Sequence, residues 1–178
     1  MEKIYYGQYV MDEYNKFLPN KNFKEIQDTL MSAYFPYFRQ PSVGVKDEKT
    51  LGCLLTHLLV VKSNIVANDQ LNHLVLQPII KRFNKIYKSI NLIRVKVNLY
   101  PYQNQQFKSA YHIDQHEDHK VCLLSINTNN GYTEFENGAV FNAVENNALI
   151  FDGSLSHRSV SQTDHSSKIN ININYEAF

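Results

Sequence analysis

The sequence predicts an α+β domain in which helices brace one face of an antiparallel sandwich or barrel. Two observations lead there. Apolar residues recur near helical spacing through the first ninety positions, and from about residue 91 the chain breaks into short β segments separated by turn residues. The 178 residues, 20% charged and 43% apolar, suit a single domain spanning 1–178, since no repeat, low-complexity linker or compositional break divides them.

In the half expected to be mainly helical, residues 1–90, Tyr14, Phe17, Phe23, Ile26, Leu30 and Tyr34 form one apolar stripe. Leu71, Leu74, Val75, Ile79, Phe83, Ile86 and Tyr87 form a second, which Pro78 should kink or split. Between them, residues 35–41 read as an extended aromatic loop. Residues 51–61 fit a buried strand or a short helix equally well. In the second half, residues 91–178, strands are expected at 92–100, 110–114, 121–126, 131–135, 148–151 and 168–175. Asn129-Asn130-Gly131, Glu136-Asn137-Gly138 and Asp152-Gly153 supply turns.

Eighteen Lys and Arg against seventeen Asp and Glu give a formal charge of +1 with no long run of either sign. Such a chain lacks the field that draws proteins to polyanions, so no nucleic acid partner is expected. No stretch approaches the ~18 apolar residues that span a bilayer, and the first residues lack the order of a secretory signal, so no membrane partner is expected either. Two cysteines, Cys53 and Cys122, form no C-x-x-C pair and read as buried thiols in a reducing, cytoplasmic setting. Twenty Asn reflect an AT-rich coding bias more than chemistry.

The chemistry resides in His112-Ile113-Asp114 and in His157, 43 positions beyond Asp114. In a strand, residues i and i+2 share a face, so His112 and Asp114 can converge on one metal ion while Ile113 packs behind. Two imidazoles and one carboxylate make the facial triad of non-heme Fe(II) oxygenases, which leaves open positions for a co-substrate and O2. H-x-D tripeptides also arise by chance, and the segment after His157 adds the weight. Lys168-Ile169-Asn170-Ile171-Asn172-Ile173-Asn174 alternates strictly, placing Lys168 and three Asn on one face and three Ile on the other. A polar interior face with one cation suits a small dianion, and a buried Lys168 calls for a carboxylate partner from protein or ligand.

From these residues the sequence resembles the iron(II)/2-oxoglutarate dioxygenases of the prolyl-hydroxylase-like branch, and looks most like the short oxygenases of bacteriophage genomes. The likeness covers about residues 92–175, and more weakly Phe35-Pro36-Tyr37. It implies a double-stranded β-helix, or jelly-roll, core in 91–178, with Fe(II) held by His112, Asp114 and His157. It implies 2-oxoglutarate as co-substrate, its distal carboxylate held by Lys168, with O2 consumed and succinate and CO2 released as a peptidyl, prolyl or small-molecule substrate is hydroxylated. A Tyr-Pro pair upstream of H-x-D, here Tyr100-Pro101, would put Tyr100 near the co-substrate. Where prolyl hydroxylases carry a second Tyr this chain offers Ser125, so Lys168 would rely on Ser125, Ser159, Thr133 or water. Lys in place of the commoner Arg keeps the charge and loses the bidentate fork.

The neighbouring residues carry plainer readings. His116 and His119, in a charged run with Glu117 and Asp118, and His165 read as solvated surface. Arg158 faces solvent or a rim salt bridge as readily as a ligand, and His57 reads as a buried, hydrogen-bonded histidine. Phe35, Tyr37 and Phe38 read as packing, or as the rim of a pocket. Two rival functions stand beside the oxygenase: a non-catalytic β-helix binding module, and a cupin-like metalloprotein that does not use 2-oxoglutarate.

Overall fold

The computed structural model describes residues 2–6, 9–40 and 54–178. Residues 51–53, including Cys53, and the end of the aromatic loop at Pro41 lie outside them. The chain forms two facing antiparallel sheets. The larger has the order β1 (Glu2–Tyr6), β2 (Tyr9–Tyr14), β10 (Ala148–Asp152), β7 (Lys120–Ser125), β12 (Ser167–Ala177), β6 (Ile90–Pro101), β4 (Leu54–Val61) and β3 (Phe38–Gln40), with β5 (Asn64–Ile65) pairing β4. The smaller has the order β11 (His157–Val160), β8 (Tyr132–Phe135) and β9 (Val140–Asn142). This is a jelly-roll core: sequence-distant strands such as β10 and β7 lie side by side, and the two sheets close over a shared interior.

The helices lie behind the larger sheet. The helix α1 (Asn20–Leu30) buries Phe23, Ile26 and Leu30. A second helical segment runs from α2 (Asp69–Leu71) through a π turn (Asn72–Leu76) into α3 (Gln77–Phe83). Pro78 stands in the first turn of α3, where its missing N–H costs least, and the π turn immediately before it absorbs the break that proline imposes. Both helical segments bury their apolar faces against Val95, Val97, Ile169, Ile171 and Ile173 of the sheet in one core cluster. Each of the three Ile of β12 is at most 2% exposed, which contributes about 1.5–3 kcal/mol per side chain.

The first half is less helical than its periodicity predicts. Among the described residues before Ile90 it supplies five strands and two helical segments. Tyr14 ends β2, and Phe17 lies in the turn that follows. The backbone of β2 is claimed by β10, through the pairs Tyr14 with Ala148 and Asp12 with Ile150, and that distant ladder overrides the local apolar spacing. Segment 54–61 resolves as a strand because β6 accepts it edge to edge. Segment 110–114 makes no regular strand; its one bridge joins His112 to His157. No helix among the described residues is long and apolar enough to cross a membrane.

Candidate metal centre

Two paired strands build the floor of the site. Their register sets Arg94 opposite Asn174, Lys96 opposite Asn172, Asn98 opposite Asn170 and Tyr100 opposite Lys168. Alternation sends Val95, Val97 and the three Ile of β12 to the core, and turns the polar set toward a cavity of about 190 Å³ between the sheets. Arg94, Lys96, Asn98, Tyr100, Asn170 and Asn172 border that cavity on this side.

From the opposite side come the H-x-D residues and His157. His157 opens β11, and its backbone exchanges two hydrogen bonds of 3.0 Å with that of His112, which draws the two chain segments together. The potential ligand atoms of His112, Asp114 and His157 lie within 4.8 Å of one another. His112 Nδ1 faces Ala110 O at 3.2 Å and His157 Nδ1 faces Leu155 O at 3.0 Å. A carbonyl only accepts, so each Nδ1 carries the proton and each Nε2 lone pair is left for a ligand. Two neutral imidazoles and a carboxylate fit a divalent ion of the iron type, with further positions open.

Asp114 is held from three directions. Arg94 Nη2 donates to Oδ1 at 2.7 Å, while Asn172 Nδ2 and Asn174 Nδ2 donate to Oδ2 at 2.9 and 3.1 Å. Burial works to raise the carboxyl's pKa, but nearby His157 and Arg94 and the two amide donors outweigh it and hold the group well below the usual carboxylate range. His157 is pushed down, first by burial and then by the charges of His112 and Lys96, against the pull of Asp114 and the Leu155 carbonyl, which favours the neutral, ligating imidazole. Lys96 is also pushed down, by burial and by Arg94, with Asp114 opposing.

Lys168 lies four residues from Asn172 along β12, toward the other end of the cavity. It is 2% exposed, and Nζ donates to Tyr132 O at 2.8 Å, Val160 O at 2.8 Å and Ser159 Oγ at 3.0 Å, with the Tyr100 ring 5.2 Å away. All three acceptors are neutral, and no carboxylate of the described residues pairs with it. Burial accordingly pushes Lys168 down to about 7. Ser159, Tyr100 and Thr133 border the cavity beside it. Burial raises the Tyr100 phenol, while a hydrogen bond with Ser159 opposes. Ser125 is buried on β7 opposite Asn170 and does not border the cavity; Ser159 is the hydroxyl that Lys168 takes. This cradle, basic and rich in neutral donors with no acid of its own, fits one end of a dicarboxylate.

His116 and His165 are exposed, whereas His119 is 8% exposed, with Nδ1 on Glu117 O at 2.7 Å and its ring against Gly153. A tight β7–β10 corner, where the Gly153 amide donates to His119 O, buries the ring that sequence charge places at the surface. Arg158 pairs with Glu134 at 2.7 Å and lies over the Tyr111 ring, a rim contact. His57 is half-buried and bonded to Pro36 O, between Phe35 and Phe38. Cys122 is a fully buried free thiol whose pKa burial raises. Sequence reasoning missed Arg94 and Lys96. Their even spacing from Asn98 and Tyr100, between Val95, Val97 and Leu99, is the signal that marks them.

No known family's sequence profile matches this chain, and no curated protein does. Solved structures do match. A prolyl hydroxylase of Trichoplax adhaerens, in complex with a hypoxia-inducible factor peptide fragment, aligns over 94% of this chain and 83% of its own, at 13% identity and TM-score 0.67. A viral collagen prolyl hydroxylase from Paramecium bursaria Chlorella virus 1, in its 2-oxoglutarate complex, aligns over 97% and 98%, at 13% identity and TM-score 0.60. An oxidoreductase of the 2-oxoglutarate–Fe(II) oxygenase family from Burkholderia pseudomallei aligns over 94% and 84%, at 11% identity and TM-score 0.67. The chain therefore has the double-stranded β-helix fold of the 2-oxoglutarate- and Fe(II)-dependent oxygenases, and within that fold the prolyl hydroxylases are among its structural neighbours.

Proposed function

We propose that this chain is an Fe(II)- and 2-oxoglutarate-dependent oxygenase that hydroxylates a peptidyl, prolyl or small-molecule substrate. The observation that carries the reading is the convergence of His112, Asp114 and His157 within 4.8 Å on a cavity whose lining residues Ser159 and Tyr100 lie against the buried cation Lys168. Bound iron and 2-oxoglutarate would supply O2 activation, with the co-substrate leaving as succinate and CO2. The chain's own residues do the rest. The Nε2 atoms of the two imidazoles and Asp114 hold the ion, with Arg94, Asn172 and Asn174 fixing the carboxylate's orientation. Lys168, Ser159 and Tyr100 receive the distal carboxylate, the Lys168 ammonium turning from a backbone carbonyl toward the incoming charge. The Asn98–Asn170 pair, joined by a 2.9 Å hydrogen bond, lies between the two ends as a neutral floor.

The test is an anaerobic titration of Fe(II) and then 2-oxoglutarate, followed by the visible charge-transfer absorption of the chelate. The band is expected in the native protein, absent in His157→Ala, and shifted to at least about tenfold higher 2-oxoglutarate concentration in Lys168→Met. A folded, metal-loaded protein that gives no band refutes the co-substrate. One observation favours that rival, metal-binding reading without 2-oxoglutarate: the three donors of Lys168 already have protein acceptors.

A further inference from the structure

The cavity contains a second cation that the site described above does not use. Lys96 borders it on the metal-facing rung of the β6–β12 ladder, opposite Asn172, whose amide donates to Asp114. Its Nζ makes no hydrogen bond or ion pair with any described residue. Its neighbour on the same face, Arg94, is already spent on Asp114 at 2.7 Å, and Arg94 Nε is buried without an acceptor. Among the described residues Asp114 is the one acidic residue bordering the cavity, and Arg94 pairs with it. Lys96 therefore brings an ammonium with no hydrogen-bonded partner among the described residues into a partly desolvated wall, next to a place where a divalent ion would add two more charges. An ammonium is costly to keep there unless an anion arrives.

Resting on the oxygenase reading, we propose that Lys96 forms a subsite for a carboxylate of the substrate, so that the enzyme acts on an acidic molecule or on a peptide presenting an acidic group beside the oxidised carbon. The two ends of the ladder then divide the anions. Lys168 with Ser159 and Tyr100 takes the distal carboxylate of 2-oxoglutarate, two rungs from Lys96. Lys96 is too far along the strand to share that group, since two rungs span about 13 Å of strand at ~3.3 Å per residue. One uncompensated ammonium matches the single charge of a carboxylate better than the near-double charge of a phosphate. The unused Arg94 N–H groups supply further donors at the next rung on the same face, opposite Asn174.

Two measurements test this. In the first, the protein loaded with Zn(II), with and without 2-oxoglutarate, is titrated with acetate and, in parallel, with acetamide, and backbone amide resonances are followed by NMR. Saturable acetate shifts centred on residues 94–98 and 172–174, absent with acetamide, weakened at least about tenfold in Lys96→Met and kept in Lys168→Met, are the expected result. No acetate response in the native protein, or the same response in Lys96→Met, overturns the proposal. In the second, 2-oxoglutarate affinity is read from the anaerobic Fe(II) charge-transfer band. Lys96→Met is expected to change it less than about twofold, and a loss of about tenfold or more reassigns Lys96 to the co-substrate and also overturns the proposal. An acetate response in a native protein that gives no band keeps the anion subsite and refutes only the oxygenase reading.

Discussion

Arg94 Nη2 lies 2.7 Å from Asp114 Oδ1, so the single carboxylate of the metal triad is also one half of an ion pair across the cavity. The pair ties β6, which belongs to the floor, to the irregular segment that carries the H-x-D residues. With that anchor the triad keeps its shape although residues 110–114 form no regular strand.

Arg94→Met removes the guanidinium that helps hold the Asp114 carboxyl far below its usual range. The carboxyl then rises toward ordinary values, and protons compete with metal at higher pH. Fe(II) or Mn(II) binding measured against pH should lose its hold at a less acidic pH than in the native protein. Because the folded pKa is depressed, the pair's contribution to stability is present above the unfolded carboxyl's pKa and lost as pH falls through the folded one. Arg94→Met should show a shallower loss of stability on acidification. An unchanged acid limit would separate Arg94 from the metal ligand.

Asn172→Ala deletes one of two amide donors to Asp114 Oδ2 and leaves the charge balance intact. Metal affinity is expected to fall by about tenfold, the lower end of the usual range for residues that orient a ligand. Equilibrium dialysis against Mn(II) measures it, and native affinity in this variant would show that Asn174 and Arg94 suffice.

Lys168 carries a pH signature of the same sign in a higher pH window. Burial moves it from 10.5 down to about 7, so between those limits the unfolded chain binds a proton that the folded one does not. Stability of the metal-free protein should rise as pH climbs from about 7 toward 10.5, by a few kcal/mol in order of magnitude. Urea unfolding at a series of pH values reads the slope, and Lys168→Met should flatten it. Entry of a dicarboxylate restores the proton, so binding at pH 8 to 9 should draw protons from buffer, detectable as a buffer-dependent binding enthalpy.

Gly131→Ala places a methyl group 2.9 Å from Lys168 Cδ, 2.9 Å from Val160 O and 2.8 Å from Asn129 Oδ1. Only Val160 O is backbone, so the Lys168 stem and the Asn129 amide must both shift and the methyl still crowds that carbonyl. A loss of about 1–3 kcal/mol in denaturant unfolding, with weaker 2-oxoglutarate binding and native metal affinity, is expected. Equal loss of metal and co-substrate would point to general unfolding of the corner.

Much of the candidate site is legible along the chain because its signals are local. His112 and Asp114 are two residues apart, and the Lys-Ile-Asn alternation of β12 announces which face joins the apolar core and which turns to a polar interior before any partner is known. The reach from Asp114 to His157 is longer, yet the jelly-roll that the family resemblance implies closes it. Arg94 and Lys96 show the boundary of such reading. Both alternate with valines, as an exposed edge strand's cations also would, and only the pairing of β6 with β12 on one side and β4 on the other turns that face inward.

Tertiary structure decided the remaining features. Tyr14 sits near helical spacing from Phe17, yet β10 takes its backbone into a ladder, and hydrogen bonds across more than a hundred residues outweigh a weak local preference. His119 sits in a charged run and is nonetheless buried, because the Gly153 corner packs against its ring. Lys168 is legible as an inward cation, whereas its choice of Ser159, Tyr132 and Val160 over Ser125 depends on where the smaller sheet lies over β12. Side-chain periodicity is encoded residue by residue, so it survives in the sequence. Which distant strand supplies a hydrogen-bond partner, and which charges it brings face to face, exists only once the sheets have closed.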